Sequence, residues 1–195
     1  MPQPPASVLL LAGGQGARMG GQDKGLVEWQ GLPMIAHVQR QARSLTDDLI
    51  ISCNRNAERY ALYADRLAAD NEAGFPGPMA GLRAGLAMAR HKRVLVLPCD
   101  VPGIDTALLL AMLAAQAQAP EAPLIVRQGG AWEPLICVLP RTALDAFDTA
   151  WASGERSPRR VMLALHPTPL DCPENDPRLR NFNTPATLEY SGRER

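Results

Sequence analysis

The chain has 195 residues, enough for one domain with a full core, and its 46% apolar content is that of a globular protein. It carries 20 lysines and arginines against 20 aspartates and glutamates, so its formal net charge is zero. That balance excludes a general binder of nucleic acid or of a membrane surface, either of which needs a basic excess, so any basic site must be local.

In chain order, Pro2, Pro4 and Pro5 predict an extended tail over residues 1–6. Residues 8–12 form a continuous apolar run, the pattern of a strand buried on both faces. No cation precedes this run, and it is too short for a signal peptide or a membrane span, so a cytoplasmic protein is expected. Pro33 opens a helix in which Ile35, Val38, Ala42 and Leu45 recur at spacings of three and four. Residues 49–53 predict a second strand, 57–67 a helix, and 67–70 a short extended segment. Gly77-Pro78 leads into a helix with Leu82, Gly85, Leu86 and Ala89 on one face. A buried strand follows at 94–97 and ends at Pro98-Cys99-Asp100. Asp105 caps a helix running to about residue 118. Strands at 124–126 and 135–139 are joined through Gly129-Gly130. Helices are predicted over 142–153 and 158–165, residues 167–177 read as a proline-rich loop, and a last helix holds Leu188.

Strands alternating with helices imply an α/β chain with a mostly parallel sheet covered on both faces. Ligands of such sheets bind outside the carboxyl ends of the strands. Two features lie directly after apolar strands, and if those strands are neighbours the two features meet in one crevice. The first is Gly13-Gly14-Gln15-Gly16-Ala17-Arg18-Met19-Gly20-Gly21-Gln22-Asp23-Lys24. Five glycines let backbone N–H groups approach a phosphate, and Arg18 and Lys24 add fixed positive charge. It is not the dinucleotide fingerprint, since Met19 stands where the third glycine should be. It is not a Walker A loop either, since Gln22 and Asp23 follow Gly21. The second feature is Asp100, a carboxylate suited to holding Mg²⁺ against phosphates, or else a turn residue.

Other candidates carry two readings each. Asn54 and Asp70 follow predicted strands and can contact a nucleoside or form turns. Gly77-Pro78 can present a backbone edge to a base or simply start a helix. Arg156, Arg159 and Arg160 can meet an anionic second substrate or sit solvated at a helix start. Asn181 and Asn183 flank Phe182 and can grip a polar ligand or organise the turn before Thr184-Pro185. The four cysteines (Cys53, Cys99, Cys137, Cys172) make no C-x-x-C pair, and the three histidines share no metal spacing. Reduced cysteines and structural histidines are expected. No Ser-His-Asp arrangement is present.

The stretch Leu11-Ala12-Gly13-Gly14-x-Gly16-x-Arg18-Met19-Gly20-Gly21-x-Asp23-Lys24-Gly25 closely resembles the opening of molybdenum cofactor guanylyltransferases. The resemblance continues through Phe75-Pro76-Gly77-Pro78-Met79-Ala80-Gly81, Pro98-Cys99-Asp100-Val101-Pro102 and Asn181-Phe182-Asn183-Thr184-Pro185, in order and over nearly the whole chain. It implies a three-layer Rossmann-like nucleotidyltransferase fold with a mostly parallel central sheet, as a single domain over 1–195. It implies transfer of GMP from GTP to molybdopterin with Mg²⁺ and release of pyrophosphate. By position, Leu11, Ala12 and Gly13 would contact the nucleotide, Lys24 its phosphates and Asp70 the GTP; Gly14, Asn54 and Gly77 are added as binding candidates from the residues themselves. Asp100 would hold the metal, Arg18 would join Lys24 and Asp100 in catalysis, and Asn181 and Asn183 would line the molybdopterin side. Contacts with other enzymes that make or receive the cofactor are also implied. One departure stands out: some relatives have asparagine-x-asparagine-arginine where this chain has Ser52-Cys53-Asn54-Arg55. The alternatives are a nucleotidyltransferase that uses CTP or a sugar phosphate, and a non-catalytic GTP-binding adaptor.

Overall fold

The fold is known from a computed structural model that describes residues 5–14, 22–69 and 77–182. Its centre is a seven-stranded sheet in the order β5-β4-β1-β6-β8-β7-β9. Strands β1 (Ser7–Leu11), β4 (Leu49–Ser52), β5 (Arg66–Ala68) and β6 (Arg93–Pro98) run parallel, with β1 between β4 and β6. β8 (Ala131–Pro140) turns antiparallel to β6, and it pairs antiparallel with β7 (Leu124–Gln128) through the Gly129-Gly130 turn. β9 (Thr168–Cys172) closes the edge parallel to β7.

The side-chain period of two sorts the strands into two faces. Val8 and Leu10 of β1 face the layer that holds Ile35 and Val38 of α1 (Met34–Arg43) and Leu109 and Met112 of α4 (Thr106–Gln116). Leu9 and Leu11 face Met79, Leu82 and Leu86 of α3 (Pro78–Met88), with Phe147 of α5 (Leu144–Ala152) and Met162 of α6 (Pro158–Ala164) beyond. This is the expected three-layer α/β arrangement. Each buried aliphatic side chain contributes roughly 1.5–3 kcal/mol.

At the N-terminal edge of the parallel strands, one buried carboxylate ties four segments together. Asp48 accepts from Ser7 Oγ at 2.5 Å, from the Arg90 amide at 2.9 Å and from Arg66 Nε at 3.1 Å, and it pairs with Arg66 Nη2. Burial alone would raise its pKa. The Ser7 hydroxyl, the Arg90 amide and the Arg66 guanidinium outweigh burial and hold the carboxyl below its ordinary range.

Several expectations are corrected. The helix predicted over 57–67 is only α2 (Ala57–Tyr60) and a 3₁₀ turn at Ala61–Tyr63, because Ala64 turns extended and β5 pairs with β4 from Arg66 on. The loop predicted over 167–177 contains β9, which tolerates Pro169 because it is an edge strand. A small hairpin of β2 (Glu28–Trp29) and β3 (Leu32–Pro33) precedes α1 and was not expected. The helix placed around Leu188 lies outside the described residues.

Candidate active site

β1 and β6 are adjacent and parallel, so the residues that follow them leave the sheet at the same edge. Beyond the strands the Cys99 amide still donates to the Leu11 carbonyl at 3.1 Å, and the Ala12 amide to the Ser52 carbonyl at 2.8 Å. A crevice is therefore present between Asp100 and the described ends of the glycine stretch, Gly13-Gly14 and Lys24. Its cavity, about 420 Å³, has Leu11, Ala12, Gly13 and Gly14 on one side, and Pro98, Cys99 and Asp100 on another. Lys24, Gly77, Pro78 and Gly81 complete the wall near Ser52, and Leu135 of β8 reaches in from the far side. Gly77 takes φ +90 just before α3, a conformation that suits glycine, and Pro78 occupies the first helical turn.

Lys24 and Asp100 meet in this cavity as a partly buried ion pair, with side chains 20% and 14% exposed. Lysine is positioned by a 3₁₀ turn, Lys24–Leu26, that follows the glycine stretch. The pair engages only Oδ2 of the acid. Oδ1 of Asp100 is buried and has no hydrogen-bond partner among the described residues. A buried carboxylate oxygen without a partner is costly. A hard cation that prefers one or two carboxylates plus phosphate oxygens would satisfy it, so the donor set fits Mg²⁺.

Asn54 stands beside the glycines: a Cβ on Gly13 would lie 3.7 Å from its Nδ2. Asn181 is exposed, and the next residue is tied to the site, with the Phe182 amide donating to the Asp100 carbonyl at 2.9 Å. Leu11, Ala12, Gly13, Gly14, Lys24, Gly77 and Asp100 are thus gathered around one cavity, with Asn54 and Asn181 next to it. Arg18, Asp70 and Asn183 lie outside the described residues. Arg159 and Arg160 are exposed, with Arg160 paired to Glu155. Arg156 lies over the Trp151 ring at 3.7 Å.

Cys99, next to the acid, is buried in the core, and burial pushes its thiol far above the ordinary range. A thiol shifted this way is a poor nucleophile, which suits a packing role. Burial likewise raises Cys53 to about 11. All four cysteines are free thiols. Among the described residues no cluster of His, Cys, Asp and Glu is large enough to bind a metal by itself, so phosphate and water would have to complete the shell around Asp100.

Two contributors escaped the sequence reading. Glu133, at the start of β8, has its carboxyl raised first by burial and then by the charge of Asp100, which places it in the field of the site. Because β8 runs antiparallel to β6, its first residues lie past the end of β6, at the edge where Asp100 stands. Trp29 packs on His37 (centroids 4.8 Å apart) and on Phe182 (5.3 Å), so the β2–β3 hairpin supports the segment that carries Asn181. An aromatic within a two-residue strand carries no periodic signal that would reveal this.

A family model described as the MobA-like NTP transferase domain matches residues 8–168. The chain belongs to the MobA-like NTP transferase family. The molybdenum cofactor guanylyltransferase of Pseudomonas fluorescens (strain Pf0-1) is 63% identical over 187 residues, covering 96% of this chain and 94% of that protein. The protein of the same name from Pseudomonas paraeruginosa (strain DSM 24068 / PA7) is 58% identical, covering 95% and 93%. Among solved structures, the molybdopterin-guanine dinucleotide biosynthesis protein A of Archaeoglobus fulgidus superposes with a TM-score of 0.76 at 22% identity, covering 95% of this chain and 96% of that one. The 2-C-methyl-D-erythritol 4-phosphate cytidylyltransferase of Thermus thermophilus gives 0.72 at 15%, covering 96% and 97%. At those identities the two structures speak for the family's fold alone. No helix among the described residues is long and apolar enough to cross a membrane.

Proposed function

We propose that this member of the family transfers GMP from GTP to the terminal phosphate of molybdopterin, forming the guanine dinucleotide cofactor and pyrophosphate in the cytoplasm. The observation that carries the reading is the Lys24–Asp100 pair beside Gly13 and Gly14 at the end of β1 and β6. The names of relatives at 58–63% identity support the choice of guanine and of molybdopterin. The chain works as a single domain. Its N-terminal half holds GTP, and the segment around Asn181 and Asn183 faces the second substrate.

In this reading Leu11, Ala12, Gly13 and Gly14 hold the nucleotide through their backbone, with Asn54, Asp70 and Gly77 beside the nucleoside. The nucleophile is a phosphate monoester, anionic at neutral pH. One of its oxygens bonds to the α-phosphorus of GTP, and the bridge to the β-phosphate breaks with its electron pair leaving on pyrophosphate. No proton has to be removed, so the site needs no general base. It needs in-line positioning and charge neutralisation, which the backbone N–H groups, Arg18 and Lys24 supply. Asp100 would hold Mg²⁺, which when bound neutralises phosphate charge.

The test is pyrophosphate release with each of the four NTPs, with and without molybdopterin. Release from GTP alone, dependent on molybdopterin, is expected. Release from CTP would overturn the guanylyl assignment, and binding of GTP without release would make the chain an adaptor.

A further inference from the structure

Residues 55–60 hold both stems of the glycine stretch. Arg55 Nη2 donates to the Gln22 carbonyl at 3.0 Å and reaches the Gly14 carbonyl at 3.4 Å. One guanidinium therefore spans the residue that leaves the β1 side and the residue that leads back to Lys24. Its Nε stands 3.5 Å from Asp23 Oδ2. The same carboxylate accepts from Asn56 Nδ2 at 2.8 Å and, on Oδ1, from the Tyr60 hydroxyl at 2.5 Å.

Asp23 is 6% exposed at its side chain and both its oxygens are engaged, so it is not available as a metal ligand. Tyr60 is fully buried. Burial, reinforced by the neighbouring Asp23 carboxylate, pushes its phenol far above the ordinary range, so it remains a donor at any working pH. Asn56 adopts φ +53, a left-handed conformation that asparagine tolerates better than most residues, which aims its amide at Asp23. On the other side of Lys24, a Cβ on Gly25 would lie 2.5 Å from the Tyr60 oxygen. The chain is thus pressed onto the phenol both before and after Lys24. None of Arg55, Asn56, Tyr60 and Asp23 lines the cavity that holds Lys24 and Asp100.

We infer that Arg55, Asn56 and Tyr60 form a clasp on Asp23 and the loop stems that sets Lys24 against Asp100, making Tyr60 and Arg55 positioning residues for nucleotidyl transfer. The kinetic part rests on the guanylyl-transfer reading. A displacement of about 1 Å in a group that must meet a transferring phosphoryl group can cost up to about 100-fold in rate, without weakening contacts to the rest of the substrate.

The experiment compares the full-length wild type with Tyr60→Phe, which keeps the buried ring and deletes only the hydroxyl. Two readouts are used: steady-state GTP-dependent pyrophosphate release with molybdopterin, and amide hydrogen exchange without substrate. We expect kcat to fall about tenfold while KM for GTP stays within about twofold. Exchange should rise over residues 22–29 but not over β6. Unchanged exchange over 22–29 overturns the clasp whatever turnover does, and so does exchange rising equally over β6, which marks general destabilisation. Unchanged kcat overturns the positioning role. If the wild type itself releases no pyrophosphate from GTP, the guanylyl reading fails, and the exchange arm still decides the clasp.

Discussion

Two aspartates stand at opposite edges of one sheet and have opposite surroundings. Asp48, at the N-terminal edge, has no exposed side-chain surface, and donors reach both its oxygens: a hydroxyl, a backbone amide and a guanidinium. Asp100, at the C-terminal edge, pairs with Lys24 through one oxygen and leaves the other buried without a partner among the described residues. A satisfied buried carboxylate joins β1, β4, β5 and the turn before β6. An unsatisfied one carries a cost that folding does not repay, and such a cost persists where binding repays it. The two edges divide the labour: one holds the strands together, and in the proposed reading the other holds ligand.

The largest effect should come from Asp100. Asp100→Asn keeps the shape and removes the charge, and we expect molybdopterin-dependent pyrophosphate release to fall by at least about 100-fold. Its melting temperature should stay within a few degrees of wild type, because neutralising Asp100 loses the partly buried ion pair with Lys24 but also removes the cost of a buried carboxylate oxygen that has no partner among the described residues. Unfolding on the same scale as the loss of activity would make Asp100 a structural residue like Asp48 and erase the contrast.

Asp48→Asn should do the reverse. Removing one partner of a buried charge pair costs about 3 kcal/mol, which urea denaturation will show as a lower midpoint, while kcat per folded molecule stays near wild type. The pH dependence sharpens this. The Asp48 carboxyl titrates lower in the fold than its ordinary value of about 3.9 in the unfolded chain. Its stabilisation is therefore fully present above that value and is lost as pH falls through the folded one. The stability gap between wild type and Asp48→Asn should narrow below about pH 4; a constant gap down to pH 2 would mean the charge is not what stabilises.

Much of the ligand edge was legible in the sequence, because it is local. The glycine stretch and Asp100 each directly follow an apolar strand, and the rule that ligands bind past strand ends brings them together once β1 and β6 are neighbours. The structural edge was not legible. Asp48 finds Ser7 and Arg66 across 41 and 18 residues, and no spacing rule encodes such pairings. The Tyr60–Asp23 contact spans 37 residues and was hidden in the same way, inside a segment that reads as one long helix. β9 was missed because its edge position lets polar residues and Pro169 occupy a strand that no alternating apolar pattern marks.

The smallest effect tests whether the ligand edge is as tightly built as the structural one. Gly81, on the first turns of α3, faces the cavity where Ser52 and Leu11 line it. A Cβ there would lie 2.6 Å from Ser52 Oγ and 3.3 Å from Leu11 Cδ2. The Ser52 hydroxyl can rotate away, but Leu11 belongs to the central strand and yields little. Alanine also favours the helix by up to about 1 kcal/mol over glycine, which offsets part of the crowding. Gly81→Ala should therefore change stability by less than about 1 kcal/mol while raising KM for GTP several-fold, since the displaced atoms belong to the cavity wall. An unchanged KM would mean that this wall gives way without consequence, and that Ser52 and Leu11 do not set how closely the nucleotide approaches the sheet.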